Sequence, residues 1–169
     1  MKAMEIKRLT RNALLTAIAL TIFMVEAQIP TLIPVPGVKL GLSNIVTIFA
    51  MFAYGPLDAL MILLVRIILG SIFSGQIMTV LYSLAGGLLC YCAVLLLRKV
   101  LTEKQIWIAS VIGAVFHNIG QILVAIIVTS TPGIVVYLPI LMVSGIIAGL
   151  LTGFCAQFLY KKLKFFGQF

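Results

Sequence analysis

Six apolar runs of membrane-spanning length, parted by short breaks, set the limits on this chain. They cover about residues 12–27, 39–54, 57–73, 76–97, 106–128 and 134–160. About 20 predominantly apolar residues in a helix cross the hydrocarbon of a bilayer. The chain has 169 residues, so six such spans leave only short loops. Its composition agrees: 63% of residues are hydrophobic, 9% are charged, and mean hydropathy is +1.25. Soluble domains carry about 25% charged residues, so a water-soluble enzyme and a disordered chain are both excluded. The fold expected is an all-α, six-helix polytopic membrane protein forming a single domain over 1–169.

Breaks between the runs have chemical causes. Residues 29–37 hold Pro30, Pro34 and Pro36, and proline removes backbone donors and blocks helix continuation. Gly55-Pro56 makes a turn with Pro56 suited to a first helical position, and Asp58 then complements the helix dipole. Gly75 ends the third run, and Thr131-Pro132-Gly133 marks the turn before the sixth. The basic start followed by an apolar run is read as a first membrane helix rather than a cleaved leader, because Glu26 sits near the possible cleavage point and more spans follow.

Charge placement gives orientation. The formal net charge is +8. Lys2, Lys7, Arg8 and Arg11 lie at the start, Arg98, Lys99 and Lys104 in one loop, and Lys161, Lys162 and Lys164 in the tail. With six spans all ten fall on one side, against Lys39 on the other. The positive-inside rule makes that side cytoplasmic, with both termini in a bacterial-type cell membrane. The charges are thus read as topology, and no nucleic-acid partner is expected. Cys90, Cys92 and Cys155 lie in apolar runs with no metal or disulfide spacing.

Charges and amides inside a membrane are costly and therefore few. Here they are Glu26, Lys39, Arg66, His117, Asn118 and Gln121, with Asn44 a milder case. The topology brings them to the middle and outer half of the bilayer. His117 and Gln121 share a helix face, as do Asn118 and Gln121, and Gly120 would admit a close neighbour. The expected substrate-binding set is Lys39, Asn44, Arg66, His117, Asn118 and Gln121, opening outward. Two cations against one acid favour a solute bearing carboxylate or phosphate, with Arg66 suited to a bidentate contact. Structural readings stay open beside this one. Glu26 can pair with Lys39, Arg66 with Glu26 or backbone carbonyls, and the amides can bond between helices.

Small residues form two further patterns. Ala13 and Ala17 make a small-xxx-small pair that could dock a partner. Gly145, Gly149 and Gly153 make a glycine run expected to pack helices closely. There is no GxxxxGK[ST] phosphate loop and no cysteine-histidine zinc cluster. Asp58 is the sole aspartate, and magnesium-diphosphate chemistry usually needs several carboxylates. A catalytic role is therefore not expected, no metal site is expected, and no cofactor is expected in this chain.

Several stretches are similar to one family. Pro36-Gly37-Val38-Lys39-Leu40-Gly41-Leu42-Ser43-Asn44, Arg66 through Gly75, Ser83 through Gly87, Gly113 through Gln121, and Tyr137-Leu138-Pro139 resemble the Gx transporter family, also labelled heptaprenyl diphosphate synthase component I. The resemblance covers about residues 10–160. That family looks related to the substrate-binding S components of energy-coupling-factor transporters, which are six-helix vitamin-capturing subunits. The likeness implies that Ala13 and Ala17 dock a T component and that a partner ATPase pair uses ATP. It also implies a lid at 29–37 over a small-molecule solute site, without naming the solute. Two other roles remain open: a non-catalytic membrane partner of a polyprenyl diphosphate synthase in quinone or redox-cofactor assembly, and an autonomous channel or transporter.

Overall fold

The computed structural model describes residues 2–28, 41–75 and 78–166. The proline-rich stretch and Lys39 lie outside the described residues. Within them the chain is all-helical, with α1 (Lys2–Glu26), α2 (Asn44–Ala53), α3 (Pro56–Ser74), α4 (Met78–Leu97), α5 (Ile106–Thr129) and α6 (Leu138–Phe165). Short 3-10 turns, Glu103–Gln105 and Pro132–Tyr137, lead into α5 and α6.

Helix ends follow the local chemistry. Gly55 takes φ of +113° before Pro56, and Gly75 closes α3 in the left-handed region at φ +65°, where a residue without Cβ carries no steric penalty. Thr102 and Gln105 form a capping box at the loop before α5. Helix α1 starts ten residues before the expected span, so its basic start is helical too.

The largest departure is α2. A span over about 39–54 was expected, but α2 has 10 residues and reaches only about 15 Å, half the hydrocarbon thickness. Five of the six helices are long and apolar enough to cross a membrane, and α2 is not among them. It is instead the centre of the bundle. It contacts α1, α3, α4, α5 and α6, and Asn44 and Val46–Met51 are all buried. A helix apolar on every side must be covered on every side, and here protein does the covering.

Neighbouring contacts give the directions. Asp58 on α3 meets Arg8 and Asn12, and Gly70 meets Phe23, so α1 and α3 run parallel. Tyr91 donates to the Pro56 carbonyl at 3.1 Å, and Gly87 packs on Leu63, so α4 returns antiparallel. Helices α4, α5 and α6 then alternate. The start of α1, the α4–α5 loop and the end of α6 share one end of the bundle, where the basic residues gather.

The outer surface is apolar. Leu57, Met61, Val65, Ile68 and Ile72 form an exposed stripe on α3, and Ile147, Leu151, Phe154 and Phe158 another on α6. Water-soluble monomers rarely expose contiguous apolar patches of this kind. In lipid such stripes are the solvent-facing surface, and the chain is a multi-pass membrane protein.

The interior seam between α5 and α6 is made by glycine. A Cβ added at Gly149 would sit 2.7 Å from Val111 Cα, and one at Gly153 would sit 2.7 Å from Trp107 Cα. A Cβ at Gly145 would overlap the Asn118 amide. The three glycines therefore set the distance between the helices.

A buried polar cluster at mid-depth

Arg66 lies ten residues along α3 and is 2% exposed. It is placed there by the face that also buries Ile62, Leu63, Ile67 and Gly70. A guanidinium so placed must find acceptors, because it cannot shed its charge. Its Nη1 donates to Ser43 Oγ. Its Nη2 donates to Asn44 Oδ1 at 3.2 Å. Both acceptors sit at the start of α2, so the short central helix begins where the buried cation needs it. Phe23 of α1 covers another side, with its ring centroid 5.8 Å from the guanidinium carbon, within cation–π range. Arg66 Nε has no hydrogen-bond partner among the described residues.

Asn44 links this cation to α5. Arg66 only donates, so the Asn44 oxygen faces it and the amide nitrogen faces His117 Nδ1, 3.2 Å away. That contact needs the lone pair on Nδ1 and the ring proton on Nε2. Two glycines make room for the imidazole. Cβ atoms at Gly41 and Gly86 would each meet the His117 ring at 2.8–3.0 Å. Glu26 ends α1, and its Oε1 accepts from the Gly41 backbone N–H at 2.6 Å.

The expected site residues divide. Asn44, Arg66 and His117 come together. Asn118, next to His117, is turned by about 100° onto α6, where it donates to the Leu141 carbonyl at 2.5 Å. It joins two helices and is not part of the Arg66 group. Gln121 is 1% exposed, one turn beyond His117. Gly120 admits a backbone, as expected, but that backbone is α4: a Cβ there would meet Ala85 and Gly86 at 2.8 Å. Ser43 was not anticipated. A serine in an apolar run is inexpensive and gives no signal until its partner is known.

The cluster is closely packed. A crevice beside it, lined by Gly41, Asn44, Ile48 and Cys90 among others, has room for about one water molecule. Its described charges are one cation, Arg66, and one anion, Glu26. A preference for an anionic solute therefore rests on Lys39, outside the described residues.

At the basic end a second polar group ties α1 to α3. Asp58 accepts from Arg8 Nε at 2.6 Å, Asn12 Nδ2 at 2.7 Å and Arg11 Nη2 at 3.1 Å. The Arg11 guanidinium carbon also lies 3.7 Å over the Tyr54 ring. Ala13 and Ala17, one and five residues beyond Asn12, are exposed on α1. No group of three or more His, Cys, Asp or Glu side chains that could hold a metal ion occurs among the described residues.

No curated protein and no solved structure gives a significant match to the chain. The family profile described as heptaprenyl diphosphate synthase component I matches residues 15–159, from the middle of α1 to near the end of α6. A bundle of this build, matched over that length, belongs to the heptaprenyl diphosphate synthase component I family.

Proposed function

We propose that this chain is a non-catalytic membrane subunit that works as the partner of a polyprenyl diphosphate synthase. The observation that carries the reading is the family match over nearly the whole bundle. The distribution of carboxylates supports the non-catalytic part. Asp58 is committed to Arg8, Arg11 and Asn12 at one end. Glu26 is bonded to Gly41 more than two helical turns beyond Asn12 on α1. Glu103 is paired with Lys164 at 2.6 Å. Diphosphate chemistry through magnesium needs carboxylates grouped on one site. The basic end, cytoplasmic by the positive-inside rule, is where a soluble synthase chain would sit. Substituting Arg66→Ala should leave synthase activity of the assembly intact, whereas deleting this chain should lower it. Synthase activity unchanged by the deletion would defeat the reading.

A second reading has its own observation, the buried Arg66–Asn44–His117 group beside the start of α2. In that reading the chain is the substrate-binding subunit of an energy-coupling-factor importer. Lys39, Asn44, Arg66, His117, Asn118 and Gln121 would take a small anionic or amphipathic micronutrient or cofactor precursor from outside. Ala13 and Ala17 would dock a T component, and partner ATPases would hydrolyse ATP. The crevice among the described residues holds about one water molecule, so binding there would select a conformation in which α2 has moved. Solute uptake in cells that requires Arg66 would favour this reading, and vesicles containing the chain alone should then show no flux.

A further inference from the structure

Helix ends at the basic end of the bundle enclose a cleft of about 610 Å³. Phe52, next to last in α2, forms one wall. Arg98, Leu101, Glu103 and Lys104 between α4 and α5 and Tyr160 of α6 supply the rest. Phe52 is eight residues from Asn44, about 12 Å along the helix, so the cleft is separate from the Arg66 cluster.

The charges of this cleft do not balance. Lys164 Nζ donates to both Glu103 oxygens at 2.6 and 2.8 Å, and Tyr160 Oη donates at 2.8 Å, so the acid in the wall is already satisfied. Arg98 is half-buried and Lys104 exposed, and neither side chain has a hydrogen-bond or ion-pair partner among the described residues. The imbalance extends to the whole end of the bundle. Ten of the twelve Lys and Arg lie there against three Asp and Glu, and Asp58 is committed to Arg8 and Arg11. Phe52, Leu101 and the Tyr160 ring put apolar wall beside the two free cations.

We infer that this cleft is where the synthase chain docks, through an acidic segment that carries an aromatic or aliphatic residue. Its carboxylates sit at Arg98 and Lys104, and its apolar side chain lies against Phe52 and Leu101. Arginine takes both oxygens of a carboxylate at once, and lysine adds a point charge. An apolar centre with a polar rim is the usual build of a protein interface. Charge complementarity chooses the occupant, because a second copy of this chain, at +8 overall, would bring more cations to the same end. The inference rests on the synthase-partner reading and gives that partner a place and a chemistry.

The test is a carbodiimide cross-link, which joins an amine to a carboxylate in contact with it. The tagged chain is cross-linked in the membranes of its own host, purified in mild detergent and mapped by peptide mass spectrometry. Lys164 should join Glu103 within the chain, which serves as the internal control. Lys104 should join an Asp or Glu of a polyprenyl diphosphate synthase chain. Without cross-linker, R98E/K104E should retain about a tenth or less of the synthase that the wild type retains. K161E/K162E reverses the same charge at exposed positions of the same end and should retain nearly all of it. If R98E/K104E does not fold, the exposed single change Lys104→Glu should still reduce retention. Synthase retained equally by R98E/K104E overturns the inference and leaves the partner reading standing, and so does equal loss in the two double variants. Anionic phospholipid lost from R98E/K104E while the synthase is kept gives the cleft to lipid, with the same consequence. Recovery of no synthase chain overturns both.

Discussion

Arg66 shows what one buried charge demands of its surroundings. Its two terminal nitrogens reach Ser43 and Asn44, and Asn44 in turn reaches His117. Truncating the middle member breaks contacts on both sides. Asn44→Ala should cost about 1–3 kcal/mol, the penalty for leaving a buried polar group unpaired, read as a shift in the unfolding transition in detergent. Ser110→Ala, which removes one neutral contact with Thr152 at 2.9 Å, should cost less. Asp58→Ala should likewise be destabilising, because Arg8, Arg11 and Asn12 lose their common acceptor, while Asp58→Asn retains an acceptor for Asn12 and should cost less. Much of this was legible in the sequence. A charge in an apolar run has to have partners, and few polar residues were on offer. Asn118 takes the interhelical bond that the sequence left open for the amides, because spacing along a helix gives shared faces, but not which neighbouring helix a face meets. Lys39 lies outside the described residues.

At the scale of elements, glycines decide how closely helices meet. Gly149→Ala places a methyl against Val111 Cα at 2.7 Å, where only backbone movement makes room, and overpacking of this kind costs about 1–3 kcal/mol. Gly133→Ala meets nothing within 4 Å and should be close to neutral. Thermal unfolding of the two variants side by side checks the contrast. The long helices were visible as apolar runs, and their ends followed from Gly55-Pro56, Gly75 and the Pro132 turn. The length of α2 was not visible. Apolarity reports burial without saying whether lipid or protein does the burying. Only the contacts of α2 with all five other helices identify it as a core element.

For the whole molecule, the outer surface is ordered by solvent. Apolar stripes on α3 and α6 face lipid, and the basic residues collect at one end, as the charge pattern along the sequence implied. What the sequence leaves open is the partner, because a docking face is recognised by what covers it. Ala13 and Ala17 are exposed small residues on α1, so Ala17→Trp should leave the fold unchanged and stop any activity that depends on a chain docking there. The central claim is that this chain is the membrane partner of a polyprenyl diphosphate synthase. Native mass spectrometry of the tagged protein, expressed in its own host and released in mild detergent, tests it most directly. The account predicts recovery with a synthase chain, in a complex that survives Arg66→Ala. Recovery instead with a T component, two ATPases and a small solute lost on Arg66→Ala would contradict it.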